Sequence, residues 1–202
     1  YNTAAGLCYA DLKTALSNII TAGHTQNSYG GLDDIEMPVT DSRLNDAGTK
    51  TIVYDIYSDN PTGPEPYELT FAQFNVGSGS DGEGNGWNKE HSFPNSWFSQ
   101  TSSTSNFPGA DLFHLYPTDM DVNSLRGNYP YGVVATASTT TQNGSKLGTS
   151  SISFPGYSGP VFEPIDAYKG DLARSTLYMV TRYQADVPTW ETYQAGGNAV
   201  MD

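Results

Sequence analysis

The sequence predicts a mixed α+β domain rich in loops, and three observations predict it. Apolar residues recur at helical spacing in two separate stretches. Short runs of β-branched and aromatic residues lie between them. Glycine, proline and uncharged polar residues, rather than charged ones, fill the connections. At 202 residues the chain is long enough for one well-filled hydrophobic core, so residues 1–202 are read as a single domain.

The opening section, through about Tyr29, is helical: Leu7, Leu12, Leu16, Ile19 and Ile20 recur at spacings of three to five, and Gly23 is the expected stop. The clearest strand is Thr51-Ile-Val-Tyr-Asp-Ile-Tyr57, closed by the turn-forming Ser58-Asp-Asn-Pro-Thr-Gly63. The glycine-rich run from Gly77 to Gly86 is expected to be a long flexible loop that delivers the chain into Trp87-Asn-Lys-Glu-His-Ser-Phe-Pro94. Asp111-Leu-Phe-His-Leu-Tyr116 reads as a short strand ended by Pro117. Thr118 or Asp119 then caps a helix whose apolar side carries Val122 and Leu125. The order over this part is strand, loop, strand, short helix. The polar run from Thr136 to Ser151 is expected to be an exposed hairpin or loop. Val161-Phe-Glu-Pro164 precedes a second helix, from about residue 171 to residue 183, with Leu172, Leu177, Met179 and Val180 available for packing. The stretch from Gln184 onward is weakly patterned, and no internal repeat is visible.

Composition excludes several classes. Charged residues are only 15% of the chain, against roughly 25% in an average soluble domain, and tyrosine alone supplies 14 positions. That profile reads as extracellular and loop-rich, and the recurrent aromatics exclude a disordered chain. No apolar run approaches the ~20 residues needed to span a bilayer. The chain has neither an initiator Met nor a basic stretch followed by an apolar one, which gives the expectation of a mature product whose targeting segment has been removed. Cys8 is the single cysteine and excludes an internal disulfide; one free cysteine suits a cytosolic protein equally well. The formal net charge of −13 opposes nucleic-acid binding, which usually draws its affinity from a basic face. A cleft needs only local positive charge, however, and a bound divalent cation supplies part of it.

Chemistry converges on one region. Of the three histidines, His24, His91 and His114, His91 lies beside Glu90 at the exit of the glycine loop. Neighbouring side chains of a strand point to opposite faces, so Glu90 and His91 can flank a site, one holding a metal and the other facing an attacking water. Asn123 on the short helix offers an amide oxygen to complete an oxygen-ligand site with Glu90, as hard divalent cations require. Arg126 lies on nearly the same helical face and can meet a phosphate. Taken singly, each residue has another reading: His91 as a packed or surface histidine, Asn123 as a solvent-facing residue of a short helix.

Four stretches decide among these readings. They are Asn88-Lys-Glu-His-Ser-Phe-Pro-Asn-Ser-Trp-Phe98, Asp111-Leu-Phe-His-Leu-Tyr-Pro-Thr-Asp119, Val122-Asn-Ser-Leu-Arg-Gly-Asn-Tyr-Pro-Tyr-Gly132 and Gly159-Pro-Val-Phe-Glu-Pro-Ile-Asp-Ala-Tyr-Lys-Gly-Asp-Leu-Ala-Arg174. Together, and in this order, they resemble the bacterial endonuclease I family. That family comprises extracellular or periplasmic nonspecific nucleases built on a ββα-metal, or His-Me finger, motif, which would fall at about residues 87–128. The resemblance implies that Glu90 and Asn123 are metal ligands and that His91 is the general base. Lys89 stands where an arginine often precedes the Glu-His pair, and His114 stands at a position that is asparagine in some members, supporting the site through its hydrogen bond. The arginine that meets the phosphate in certain members lies in an insertion missing here, so Arg126 and Arg174 are its substitutes. Family members usually continue to a further helix and a Gln-Gly-Asn-Arg-Asn-Pro-Phe segment, which this chain is expected to lack.

The implied activity is metal-dependent, sequence-nonspecific hydrolysis of phosphodiesters in DNA and RNA, leaving 5′-phosphate and 3′-hydroxyl ends. One divalent cation is expected, Mg²⁺ first, with Ca²⁺ or Mn²⁺ as the others. His91, at its ordinary pKa of about 6.5, would take the proton from water, its ring oriented by its own backbone carbonyl or by a serine. The expected protein is a secreted, extracellular or periplasmic monomer with a nucleic-acid partner and no membrane partner. The rival reading is a noncatalytic secreted module that binds carbohydrate or protein through its tyrosine-rich acidic surface and carries a structural calcium site.

Overall fold

The computed structural model describes residues 1–77, 82–99 and 107–201. Part of the glycine loop, residues 78–81, lies outside the described residues. The fold mixes helices with three small antiparallel sheets, as an α+β reading requires. No helix among the described residues is long and apolar enough to cross a membrane.

Helix α1, Tyr9–Thr21, packs against the long helix α5, Asp166–Arg182, and the chain turns at Gly23 with φ +76° as expected. A short helix α2, Met37–Thr40, leads to the hairpin of β1, Ser42–Leu44, and β2, Thr51–Val53. The strand expected through Tyr57 therefore ends four residues early. Asp55 is the cause. Its buried carboxylate accepts the N–H of Tyr57 at 2.8 Å, and its carbonyl accepts that of Asp59 at 2.8 Å, which closes a turn where the apolar pattern pointed to continued extension.

β3, Trp87–His91, pairs antiparallel with β4, Leu115–Asp119, in the register Lys89↔Pro117 and His91↔Leu115. The second strand thus begins four residues later than the sequence predicts, and Pro117 lies within it instead of ending it. Again an aspartate competes: Asp111 Oδ1 accepts the N–H of Phe113 at 3.1 Å, and its Oδ2 accepts the hydroxyls of Tyr178 and Tyr183, each at 2.8 Å. Pro117 is tolerated because the flanking ladder bonds run from Ser92 N–H to His114 O and from Met120 N–H to Gly86 O. Alternation from these pairs puts Lys89 and Pro117 at a non-hydrogen-bonded position, where proline's missing N–H costs no ladder bond.

Between the two strands comes α3, Asn95–Phe98, and directly after β4 comes α4, Met120–Arg126. Asp119 is the cap, its Oδ1 accepting from the N–H of Asp121 at 2.9 Å and of Val122 at 3.0 Å. Gly127, at φ +54°, ends the helix in a conformation that side chains rarely adopt. Residues 136–151 do form a hairpin, between β5, Val134–Thr140, and β6, Lys146–Ser150, which β7, Pro160–Glu163, extends to three strands.

Helix α5 starts at Asp166, five residues before the predicted start: Lys169 pairs with both Asp166 and Glu163 across the first turn, and Gly170 is carried inside the helix. Its buried face is Tyr168, Leu172, Ser175 and Met179, which leaves Leu177 pointing outward, 63% exposed, contrary to the packing expected of it. The weakly patterned end forms α6, Val187–Trp190, and α7, Ala195–Met201; Val187 and Trp190 join Phe93, Trp97, Phe98 and Met179 in one core cluster.

Asp55 has a further consequence. Burial pushes its carboxyl up to about 7, with Asp119 adding to the rise and the N–H groups of Tyr57 and Asp119 opposing it. The folded state therefore holds a proton that the unfolded chain releases near pH 3.9. This contribution to stability is complete below that pH and is lost as pH climbs through about 7, at about 1.4 kcal/mol per unit within the window. Urea denaturation at pH 5 and pH 8 should accordingly show a smaller change for Asp55→Asn than for the parent. Equal changes in the two proteins would remove Asp55 as the titrating group.

Candidate active site

Strand alternation divides β3 into two chemistries. Asn88 and Glu90 face α4, whereas Lys89 and His91 face the turn at Tyr29. Adjacent residues of one strand thereby serve opposite sides of it.

On the α4 side, Glu90 is 2% exposed. Its Oε1 accepts from Arg126 Nη1 at 3.0 Å and from the Tyr57 hydroxyl at 2.9 Å, and the Tyr131 hydroxyl lies 3.5 Å from it. None of these bonds falls on Oε2. Burial pushes the Glu90 carboxyl up, and Arg126, Tyr57 and Tyr131 pull it back toward the charged form. Arg126 is fully enclosed, its guanidinium also donating to the carbonyls of His91 at 2.9 Å and Ser92 at 2.7 Å and lying 4.4 Å from the centre of the Tyr131 ring. These hydrogen bonds of Arg126, from which a phosphate contact was expected, are directed into the protein. Arg174 is 71% exposed on α5 and pairs with Asp171; no described contact joins it to Glu90 or His91.

Asn123 donates its amide Nδ2 to Asn88 Oδ1 at 2.7 Å, and Asn88 Nδ2 in turn donates to the Gly77 carbonyl at 3.4 Å. Because a carbonyl can only accept, this chain orients both amides and leaves Asn123 Oδ1 outside it. Among the described residues, no group of three or more His, Cys, Asp or Glu is placed to hold a metal ion. What the α4 side offers is one carboxylate oxygen and neighbouring amide oxygens. That set fits a hard cation that keeps part of its water shell and takes its remaining ligands from a phosphate.

On the other side, His91 is 9% exposed, and its Nε2 lies 2.9 Å from the Gly109 carbonyl. Since the carbonyl can only accept, the neutral ring carries its hydrogen on Nε2 and its lone pair on Nδ1. The orienting group is thus Gly109, rather than the histidine's own carbonyl or a serine. Tyr29 stacks on the ring at 5.8 Å with planes 11° apart, and Lys89 Nζ lies 4.3 Å from the centre of the Tyr29 ring while pairing with Asp33. Burial, joined by His114, lowers the His91 pKa to about 3, so the ordinary value expected from sequence does not hold.

His114 is fully buried, its ring centre 5.4 Å from that of His91, and its pKa is lowered to about 4, chiefly by burial. Its Nε2 lies 2.7 Å from the Pro108 carbonyl. The two histidines therefore hold successive carbonyls of one turn, Pro108 and Gly109. Phe113, beside it, stays 67% exposed and packs on Tyr178.

Sequence reasoning missed Tyr57 and Tyr131 on Glu90, and Tyr29 and Gly109 on His91, because all four come from loops or turns outside the motif strands. Asn88 was within reach: it stands two residues before Glu90 and so shares its face.

The Endonuclease I family matches residues 8–201. The chain is 32% identical over 202 residues to the extracellular ribonuclease of Bacillus subtilis (strain 168), covering 98% of this chain and 59% of that protein. It is 33% identical over 187 residues to the extracellular ribonuclease of Bacillus amyloliquefaciens, covering 91% of this chain and 53% of that protein. The chain thus spans between one half and three fifths of the length of these relatives. No solved structure matches it. A match over residues 8–201, nearly the whole chain, places the chain in the endonuclease I family.

Proposed function

We propose that this chain is a secreted nuclease that hydrolyses phosphodiester bonds of DNA and RNA without sequence preference, using one divalent cation. The observation that carries the reading is the pairing on β3: a histidine whose Nε2–H is held by Gly109, leaving Nδ1 basic, next to a carboxylate whose Oε2 carries none of its hydrogen bonds. Membership of the endonuclease I family and two relatives named extracellular ribonuclease support both the activity and the secretion.

Glu90 Oε2 and Asn123 Oδ1 would hold the cation, Mg²⁺ in the first place, which supplies charge neutralisation at the scissile phosphate and at the leaving 3′ oxygen. His91 Nδ1 takes a proton from water, and the water oxygen attacks phosphorus in line. The P–O3′ bond breaks, leaving a 5′-phosphate and a 3′-hydroxyl. The ring is neutral throughout the physiological range, with its Nδ1 lone pair directed away from the Gly109 contact. His114 acts at one remove, fixing the turn whose next carbonyl orients His91. Arg126 positions Glu90 and the β3 backbone and does not touch substrate. Contacts of this kind read phosphate and not base edges, which accounts for activity without sequence preference.

Relaxation of supercoiled plasmid and cleavage of RNA, each with and without chelator, test the reading. Nicking should vanish with chelator and return with added Mg²⁺, and Glu90→Gln should need more Mg²⁺ for half-maximal rate. Cleavage that persists in chelator would refute the metal requirement, and an intact, folded chain that cuts neither substrate would favour a binding module.

A further inference from the structure

Glu90 is held more tightly than a metal ligand needs, and on one oxygen only. Arg126 Nη1 at 3.0 Å and the Tyr57 hydroxyl at 2.9 Å both point at Oε1, with the Tyr131 hydroxyl at 3.5 Å. A phenol has a single hydrogen to give. If Tyr57 spends its hydrogen on Glu90, the 2.9 Å contact between the two hydroxyls is made by Tyr131 donating to Tyr57. The result is a relay from Tyr131 through Tyr57 to Oε1. Phe162, 5.4 Å from the Tyr57 ring and 6.3 Å from the Tyr131 ring, packs against both and limits their movement.

This arrangement sets how Glu90 can meet a cation. Turning the carboxylate to offer both oxygens would strip Oε1 of donors in a buried place and leave those donors unpaired. We propose that Tyr57 and Tyr131 are positioning residues that present Glu90 through Oε2 alone and thereby bias the site toward Mg²⁺ and Mn²⁺ and against Ca²⁺. The physical basis is coordination: Ca²⁺ takes six to eight oxygens in flexible geometry and gains from two-oxygen carboxylates, whereas Mg²⁺ keeps an octahedron with few carboxylates and several waters. The inference rests on the reading of Glu90 and Asn123 as cation ligands.

The test is direct cation binding to the full 202-residue chain, by calorimetry with Mg²⁺ and Ca²⁺ and by the Mn²⁺ electron-spin signal. In Y57F/Y131F the affinity for Ca²⁺ relative to Mg²⁺ should rise about tenfold, the equivalent of roughly one lost restraint on Oε1. Arg126 remains in that variant to keep Glu90 charged. A purely structural role would lower all affinities together, so an unchanged Ca²⁺ to Mg²⁺ ratio overturns the proposal. Y57F alone, a smaller disturbance, should move the ratio in the same direction and serves if the double variant does not fold. Glu90→Gln separates the two levels: unaltered Mn²⁺ binding there defeats the ligand reading itself, whereas weakened binding there with an unmoved ratio in the tyrosine variants defeats only the selectivity.

Discussion

His91→Ala is expected to lower turnover on plasmid DNA by at least about 100-fold, the usual scale for loss of a general base. Cation affinity should stay close to that of the parent, because Glu90 and Asn123 stand on the opposite face of β3 from His91. The fold should survive: the variant leaves the Gly109 carbonyl without its ring donor and a small void under Tyr29, a loss of about 1–3 kcal/mol. Steady-state kinetics, calorimetric cation binding and a urea melt on one preparation would separate these effects. Since the ring acts through a single basic nitrogen, added imidazole should restore part of the rate. A variant that keeps full turnover would remove His91 from the chemistry, and one that loses cation binding together with turnover would show that the two faces of β3 are not independent.

Arg126→Met should be the most destabilising single change at the site, at about 3–5 kcal/mol. Arg126 has no exposed surface, and its guanidinium serves one carboxylate and two carbonyls at 2.7 to 3.0 Å. Removing it leaves Glu90 charged in a buried place and both carbonyls without this donor. Arg126→Lys should recover only part of the loss, because an ammonium cannot present the planar fork that meets all three acceptors. Adding Glu90→Gln to Arg126→Met should recover more, by removing the uncompensated charge. Urea denaturation of the three variants gives the order, and a loss below about 1 kcal/mol for Arg126→Met would contradict the buried ion pair as drawn.

The acidity of the whole chain extends to the candidate site, where the nearby cations are paired. Lys89 and Arg126 are turned inward, each neutralising a carboxylate, Asp33 and Glu90. With nine basic residues in total and two of them paired inside, a shallow dependence of nucleic-acid affinity on salt is the expected result of a titration with added NaCl.

Much of the fold around the site was legible as pattern. The order of the two strands and the helix after them, the cap at Asp119, the stop at Gly23, the hairpin over 136–151 and the opposed directions of Glu90 and His91 all follow from local periodicity and turn chemistry, whereas α3 between the strands was not expected. The two misplaced strand boundaries share one cause. Asp55 and Asp111 each take backbone N–H groups onto a buried carboxylate, ending one expected strand early and delaying the other. A side chain that competes for the backbone is invisible to a count of apolar residues. The late segment failed differently: Val187 and Trp190 carry too little periodicity to announce helices and find their place only against Phe93, Trp97 and Met179.

By itself, then, the amino-acid sequence determined which strand and helix bear the candidate residues Glu90, His91 and Asn123, because alternation along a strand and capping of a helix are local. Tertiary structure decided what each of them can do. It closed Arg126 into the core, fixed the His91 tautomer through Gly109 and loaded one oxygen of Glu90 with donors from Arg126 and Tyr57. Desolvation and hydrogen-bond direction depend on groups distant along the chain, and they exist only once those groups have been packed together.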